Sequence, residues 1–307
     1  MDKNLLNGSV VVGVDGSEHS DRALVWAAEQ ADLEGRGLVI VHAYRTQVVA
    51  DPVQLAVWSA AQGDLDSIVR SATHEVIEAA VKRASEVRPG LDVESFVVNQ
   101  DARDALLDAS ARARMVVVGS HGGSGWRRLA LGSVATAVAQ HATSPVVVVR
   151  DPGTEGPRTG ILVGADGTAS SIPVIEFAFT MASQRRLPLT VMHAYWDIAG
   201  EQAYGRFVAD DEPGVDDLRM MLSASTAGLR EKYPDVEVDL QLARGLVDVV
   251  LTGDEPPRDL IVVGRRHPTR WARLLYGSAT TAVLDLARGS VAVVPEPDTT
   301  QSPEPKR

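Results

Sequence analysis

The stretch Val10-Val11-Val12-Gly13-Val14-Asp15-Gly16-Ser17 decides the fold. It is an unbroken apolar run that stops at Asp-Gly-Ser. Such a run suits a strand buried on both faces, which means a parallel sheet. Ser17 is placed to cap a following helix, where Ala23, Trp26-Ala27 and Gln30-Ala31 recur at helical spacing. Working outward, Leu38 to Ala43 reads as the next buried strand. Leu65, Ile68-Val69, Ala72, Val76 and Ala79-Ala80 mark one helical face. Val93 to Val98 is a strand, and Ala105-Leu106 and Ala109 sit on a short helix. Met115 to Gly119 is a strand, Gly125 to His141 a helix, and Pro145-Val146 to Val149 a last strand. The order βαβαβαβαβ predicts an α/β fold: an open five-stranded parallel sheet with helices on both faces, of Rossmann-like type.

The same pattern occurs twice. Val11-Val12-Gly13-Val14-Asp15-Gly16-Ser17 is matched by Leu162-Val163-Gly164-Ala165-Asp166-Gly167-Thr168, 151 positions on. That offset also links His42-Ala43-Tyr44 to His193-Ala194-Tyr195. Further along, Val117-Val118-Gly119 pairs with Val262-Val263-Gly264 at an offset of 145. Trp126 pairs with Trp271, and Gly132-Ser133 with Gly277-Ser278, at that second offset. The second copy is therefore shorter by six residues in its middle. A repeat this long is a duplicated domain rather than a short-period solenoid. The expected organisation is a first domain over 1–151, a Pro/Gly-bearing linker over 152–159 and a second domain over 160–295. A Pro-bearing, apolar-poor tail over 296–307 reads as disordered.

The chain has 307 residues, enough for two domains with a core each. Its net charge is −11. That disfavours nucleic acid, whose phosphates need a basic stripe, and an anionic membrane surface. Cysteine is absent, which excludes disulfides, thiolate catalysis and Cys-type zinc sites. The start carries no signal-peptide pattern, and no apolar run approaches the roughly 18 residues that span a bilayer. A soluble, cytoplasmic protein is expected.

Open parallel sheets bind ligands at the carboxyl ends of the strands where strand order reverses, commonly between strands one and four. The loops there are Gly13 to Ser17 and Gly119 to Gly125, the most glycine-rich in the copy. The second reads Gly119-Ser120-His121-Gly122-Gly123-Ser124-Gly125-Trp126. Loop amides ahead of a helix can cradle phosphate, and glycines let backbone approach it. Gly132 costs a helix interior about 1 kcal/mol relative to Ala. A break there would turn Ser133 and its amide to the same pocket; alternatively Gly132 only permits close helix packing.

Gly119, two residues, Gly122, nine residues and Gly132-Ser133 together resemble the ATP-binding signature of the universal stress protein family. Val12-Gly13-Val14-Asp15-Gly16-Ser17, with Ser20, Ala23 and Trp26-Ala27, is similar to that family's first strand and helix. The likeness covers both copies. It implies an adenine nucleotide, ATP, held at the strand edge. Asp15 would stand by the adenine or ribose, with Gly13 and Val14 as a backbone wall and Ala43 on the adenine side. Gly119 and Gly122 would approach ribose and phosphates; Gly132, Ser133 and the Val134 amide would bind phosphate oxygens. Mg²⁺ could bridge the phosphates, though no side-chain cage is visible for it. The family's last strand joins two domains, so Val146 to Val149 and Val291 to Val294 are candidates to pair, and a homodimer is expected. The output implied is regulation under stress through an unidentified protein partner.

The second copy offers Gly164, Ala165, Asp166, Ala194, Gly264, Gly277 and Ser278 in the matching places. There the middle glycine is replaced by His267, followed by Pro268, and Arg265-Arg266 reads mainly as a solvated pair. In the first copy Gln100-Asp101 stands where the second has Gly245, and Asp101 would repel phosphate. Occupancy of the first copy is expected, and that of the second is left open.

Chemistry is weakly indicated. No Lys lies in either glycine-rich segment, so the point charge of phosphate-loop NTPases is missing. Arg127, Arg128 and Arg273 could brace phosphates but suit surface ion pairs better. His121 as general base would need a positioned water. His42 and His193 read as structural, bonding between sheet and helix. No catalytic triad can be argued, no G-x-S-x-G elbow occurs, and no metal site is expected. A nucleotide-binding regulator is favoured; a slow ATPase and a nucleotide-free scaffold are the alternatives.

Overall fold

The computed structural model describes residues 1, 4–45, 71–122, 131–151, 159–195, 206–209, 212–253, 257–265 and 279–297. They group into two compact units. The first takes the described residues up to Gly122 and from Gly132 to Ser144; the second takes Leu131 and those from Pro145 onward.

In the first unit, β1 (Val10–Gly13), β2 (Leu38–Tyr44), β3 (Val93–Asn99) and β4 (Met115–Gly119) alternate with helices. These are α1 (Glu18–Glu34), α2 (71–87), α3 (Ala102–Ser110) and α4 (Ser133–His141). β1 lies parallel between β2 and β4, and β3 lies parallel on β2. The order β3-β2-β1-β4 therefore reverses between β1 and β4, as expected. Val10, Val11 and Val12 are wholly buried, as are Met115, Val116 and Val117. Burial on both faces is why these strands read as unbroken apolar runs.

Local chemistry sets the helix ends. Ser17 caps α1, its hydroxyl accepting from Ser20 N at 3.2 Å. Gly35 closes α1 in the left-handed region, at φ 61°. Ala23, Ala27, Ala28 and Ala31 form its buried face. Their small size lets α1 lie close on β1 and β4. Gly13 points at Leu106 of α3, while Gly119, on the adjacent strand, points at His19 of α1. The β1–β4 register aligns Gly119 with Val14 rather than Gly13, so these two helices lie on opposite faces of the sheet.

The second unit repeats the plan with β6 (Ile161–Gly164), α5 (Ile172–Arg185), β7 (Leu189–Tyr195), α6 (Asp216–Lys232) and β9 (Val238–Arg244). It continues through α7 (Val247–Thr252), β10 (Leu260–Arg265), α8 (Ala279–Leu286) and β11 (Ser290–Pro295). β6 lies parallel between β7 and β10, with β9 on β7 and β11 on β10. The bounds of β2 and β7 keep the 151 offset, whereas the C-terminal ends of α2 and α6 stand 145 apart. The six-residue shortening thus falls between strand two and the end of helix two.

Two strands depart from a purely parallel sheet. β5 (Val146–Val149) pairs antiparallel with β11, Val147 facing Ala292. The short β8 (Arg206–Phe207) pairs antiparallel with β9. The pairing of the two closing strands agrees with the sequence reading; β8, only two residues long, has no periodicity to announce it. A second difference concerns the helix expected over Gly125 to His141. Residues 123–130 lie outside the described residues, Gly132 is extended (φ −62°, ψ 150°), and the helix begins at Ser133. Among the described residues, no helix is long and apolar enough to cross a membrane.

Candidate functional site

A cavity of about 360 Å³ opens at the carboxyl ends of β1 and β4. Its walls come from the ends of β1, β2 and β4, the starts of α3 and α4, and Ser20 of α1. The β1 end gives Gly13, Val14 and Asp15; β2 gives Val41 and Ala43. The β4 end gives Val118, Gly119, His121 and Gly122, and the start of α4 gives Gly132, Ser133, Val134 and Ala135. All nine of the first-copy residues singled out from sequence therefore line one cavity.

Asp15 is held at the rim by its own loop. Its Oδ1 accepts from Ser17 N at 3.0 Å, and its backbone N–H donates to Ser20 Oγ at 3.3 Å. The carboxylate faces the neighbouring glycine loop: a methyl added to Gly122 would stand 2.7 Å from Asp15 Oδ2. A methyl added to Gly119 would stand 2.6 Å from the His19 carbonyl oxygen. At Gly119 the obstacle is backbone, whereas at Gly122 it is the end of the exposed Asp15 side chain.

The start of α4 is shaped by Gly132. Its N–H donates to Ser120 O at 2.8 Å, which folds the chain back over the loop. Its carbonyl accepts from Thr136 N at 2.9 Å and from Thr136 Oγ1 at 3.0 Å. Gly132 has no side chain to cap the helix, and the first-turn amides have no intrahelical acceptor. Ser133, Val134 and Ala135 line the cavity in that first turn. The positive end of the helix dipole lies there, so the arrangement suits an anion.

The other wall is apolar. Val41, Ala43, Leu106 and Val118 offer a surface for a flat, uncharged group. Leu106 and Ala102 of α3 were not singled out as site residues. Their only signal was α3's helical spacing, which does not tell a cavity wall from core.

Two polar residues behave differently from the sequence reading. Asp101 caps α3, accepting from Arg103 N at 2.9 Å. The Arg103 guanidinium grips both its oxygens at 2.9 Å, and Arg45 adds a contact at 3.3 Å. The Arg103 side-chain bond leads in holding its carboxyl well below the usual carboxylate range. Paired with two guanidiniums, it is not the free phosphate-repelling charge expected. His42 is structural, but its partner is a loop rather than a helix: Nδ1 donates to Val14 O at 2.9 Å.

The second copy keeps part of this geometry. His193 Nδ1 donates to Ala165 O at 2.9 Å, and Asp166 Oδ1 accepts from Thr168 N at 3.0 Å. Gly164 faces Leu251 as Gly13 faces Leu106. Gly264 differs, since the Glu296 carboxylate packs directly against it. Arg265 is buried rather than solvated, and burial pushes its guanidinium down from the usual value. Ala194 ends up near the close of β7. Gly277, Ser278, Arg266, His267, Pro268, Trp271 and Arg273 lie outside the described residues, as do Trp126, Arg127 and Arg128.

Comparison with known proteins follows the same division. A sequence model of the universal stress protein family matches residues 7–150 and again 158–295. A universal stress protein of Mycolicibacterium smegmatis is 31% identical over 295 residues, covering 93% of this chain and 96% of its own. One from Mycobacterium tuberculosis is 31% identical over 298 residues, covering 94% and 96%. Among solved structures, a universal stress protein from Archaeoglobus fulgidus superposes with a TM-score of 0.65 at 18% identity, covering 96% of this chain and 99% of its own.

Proposed function

Because this chain belongs to the universal stress protein family across both of its halves, we propose that its first copy binds ATP and that the protein acts as a nucleotide-dependent regulator in the cytoplasm. The observation that carries the reading is the single cavity joining an apolar wall to the open first turn of α4. The Val41, Ala43 and Leu106 side accepts adenine, Asp15 faces the ribose, and the Gly132-Ser133-Val134 end takes phosphates. Mg²⁺ would sit between phosphate oxygens. Binding is the output, and it acts by shifting the population of partner-competent states. The domains proposed are 1–151 and 160–295, joined by 152–159 and followed by a tail over 296–307, with the chain forming a homodimer.

The second copy is the weaker candidate. Glu296 against Gly264 places a carboxylate beside the residue that matches Gly119. An anionic ligand is disfavoured there, which favours the first copy as the nucleotide site.

The test is direct. Purified protein is denatured and removed, and released nucleotide is identified by chromatography and mass spectrometry as moles per chain. About one ATP per chain is expected. No nucleotide, and none taken up when ATP with Mg²⁺ is added, leaves a nucleotide-free scaffold. Turnover above a blank would support the slow ATPase.

A further inference from the structure

We propose that His121 is a proton-responsive ligand of this cavity, coupled through the Ser120 hydroxyl to His19, and that it tightens the grip on nucleotide phosphate as pH falls. The proposal rests on the nucleotide reading above.

His121 lines the cavity. Its Nδ1 lies 3.2 Å from Ser120 Oγ, and the same oxygen lies 3.5 Å from His19 Nδ1. The two rings stand 5.2 Å apart. Ser120 is 3% exposed, and the His19 backbone packs tightly over Gly119, so the cluster is fixed in place. At the far side of the ring, His121 Nε2 is buried and has no hydrogen-bond partner among the described residues. A buried polar atom left unpaired is costly, so an acceptor brought to it by a ligand would be favoured.

The proton count gives the mechanism. A hydroxyl has one hydrogen, and each neutral imidazole has one N–H. With both rings neutral, Ser120 donates to one Nδ1 and accepts from the other. When His121 is protonated, both its nitrogens donate: Nδ1–H to Ser120 Oγ, and Nε2–H to an acceptor in the cavity. Ser120 then gives its hydrogen to His19 Nδ1. The cluster thus takes up one proton on His121 with every cluster bond still made. A phosphate oxygen supplies both the acceptor and the negative charge that favour this state.

Other charges facing the cluster are few among the described residues. Asp15 stands beside Gly122, next to His121 in the chain. Glu18, beside His19 on α1, is paired with Arg22 at 2.9 Å. On α3, Asp101 is held by Arg103 and Arg45. The first turn of α4 has no acidic residue. Among the described residues facing the cluster, imidazole is the group able to take up a proton when an anion binds. Binding an anion takes up a proton, and affinity must therefore rise as pH falls.

The test is calorimetric titration of the nucleotide-stripped full chain with ATP from about pH 8 to 6, in buffers of differing ionisation heat. His121→Asn, Ser120→Ala and adenosine as an uncharged probe complete the set. The terminal phosphate of ATP titrates in the same range, and subtracting the His121→Asn data removes it. The wild type is expected to gain about tenfold more affinity than His121→Asn across that range. Proton uptake by the wild type should exceed the ligand's own, Ser120→Ala should lose part of the gain, and adenosine should show none. Equal pH slopes for wild type and His121→Asn overturn the proposal; should that variant not fold, wild-type proton uptake no greater than the ligand's own does so. Failure of the wild type to bind ATP at any pH overturns the nucleotide reading itself, and this inference with it.

Discussion

The Nδ1 of His42 donates to the carbonyl oxygen of Val14 at 2.9 Å, and this tie is repeated by His193 on Ala165. A carbonyl can only accept, so both rings carry the Nδ1 proton. Val14 N also donates to Val41 O, and Ala165 N to Met192 O, each at 2.9 Å. The loop that carries Asp15 or Asp166 is thus held on both sides of its peptide. Removing a hydrogen bond of this kind costs about 1 kcal/mol. His42→Ala and His193→Ala should each lower unfolding stability by about that amount, measured by urea titration. Only His42→Ala should also weaken ATP binding in the first copy. Equal binding losses from both substitutions would contradict independent copies.

Asp101 gives a dependence on pH. Its carboxyl is held below the usual range by Arg103 and Arg45. A depressed folded value means the stabilisation is complete well above the unfolded value of about 3.9 and fades as pH falls through it toward the folded value. Asn caps a helix as well as Asp does but carries no charge. Asp101→Asn should therefore cost under about 1 kcal/mol at neutral pH, since surface pairs contribute little. It should flatten the acid side of the stability curve below about pH 5. An unchanged acid slope would show that other carboxylates govern it.

Much of this site was legible because duplication exposed it. Gly13-Val14-Asp15 and Gly119 recur in the second copy at fixed offsets, and the apolar run of β1 placed them at a strand end. The start of α4 was half-legible: Gly132 announced a break, but apolar spacing beyond it suggested a longer helix. Hydrogen bonding decided the matter, since Gly132 N turns back to Ser120 O. The sequence reading missed the fate of Asp101 even though its main partner, Arg103, is only two residues on; what the sequence hid was Arg45, 56 residues away, which meets Asp101 through β2 and β3. The Glu296 contact with Gly264 was hidden for the same reason, being made across β10 and β11.

Ser17 separates stability from binding. Its hydroxyl caps α1, while its backbone N–H, not its side chain, holds Asp15. Ser17→Ala loses the cap and should cost about 1 kcal/mol. Asp15 keeps its amide donor, so affinity for ATP should change less than about twofold, an energy below the thermal scale of the bond lost. Ser17→Asp should restore stability through the same cap. A large binding loss in Ser17→Ala would place the hydroxyl itself among the ligand contacts.

Gly119 and Gly122 should fail in opposite ways. A methyl on Gly119 meets the His19 backbone oxygen at 2.6 Å, and backbone can yield only by moving α1. Overpacking of that kind costs about 1–3 kcal/mol, so Gly119→Ala should unfold at lower urea. A methyl on Gly122 meets Asp15 Oδ2 at 2.7 Å, the end of an exposed side chain that can swing aside. Folding should be nearly unaffected, within about 0.5 kcal/mol. The displaced carboxylate and the added methyl would both enter the space proposed for ribose and phosphate. Gly122→Ala should therefore retain wild-type urea stability yet release less than about a tenth of the wild-type nucleotide, a loss of roughly 1.4 kcal/mol in binding. Full nucleotide recovery from a stable Gly122→Ala protein would move the ligand away from this loop.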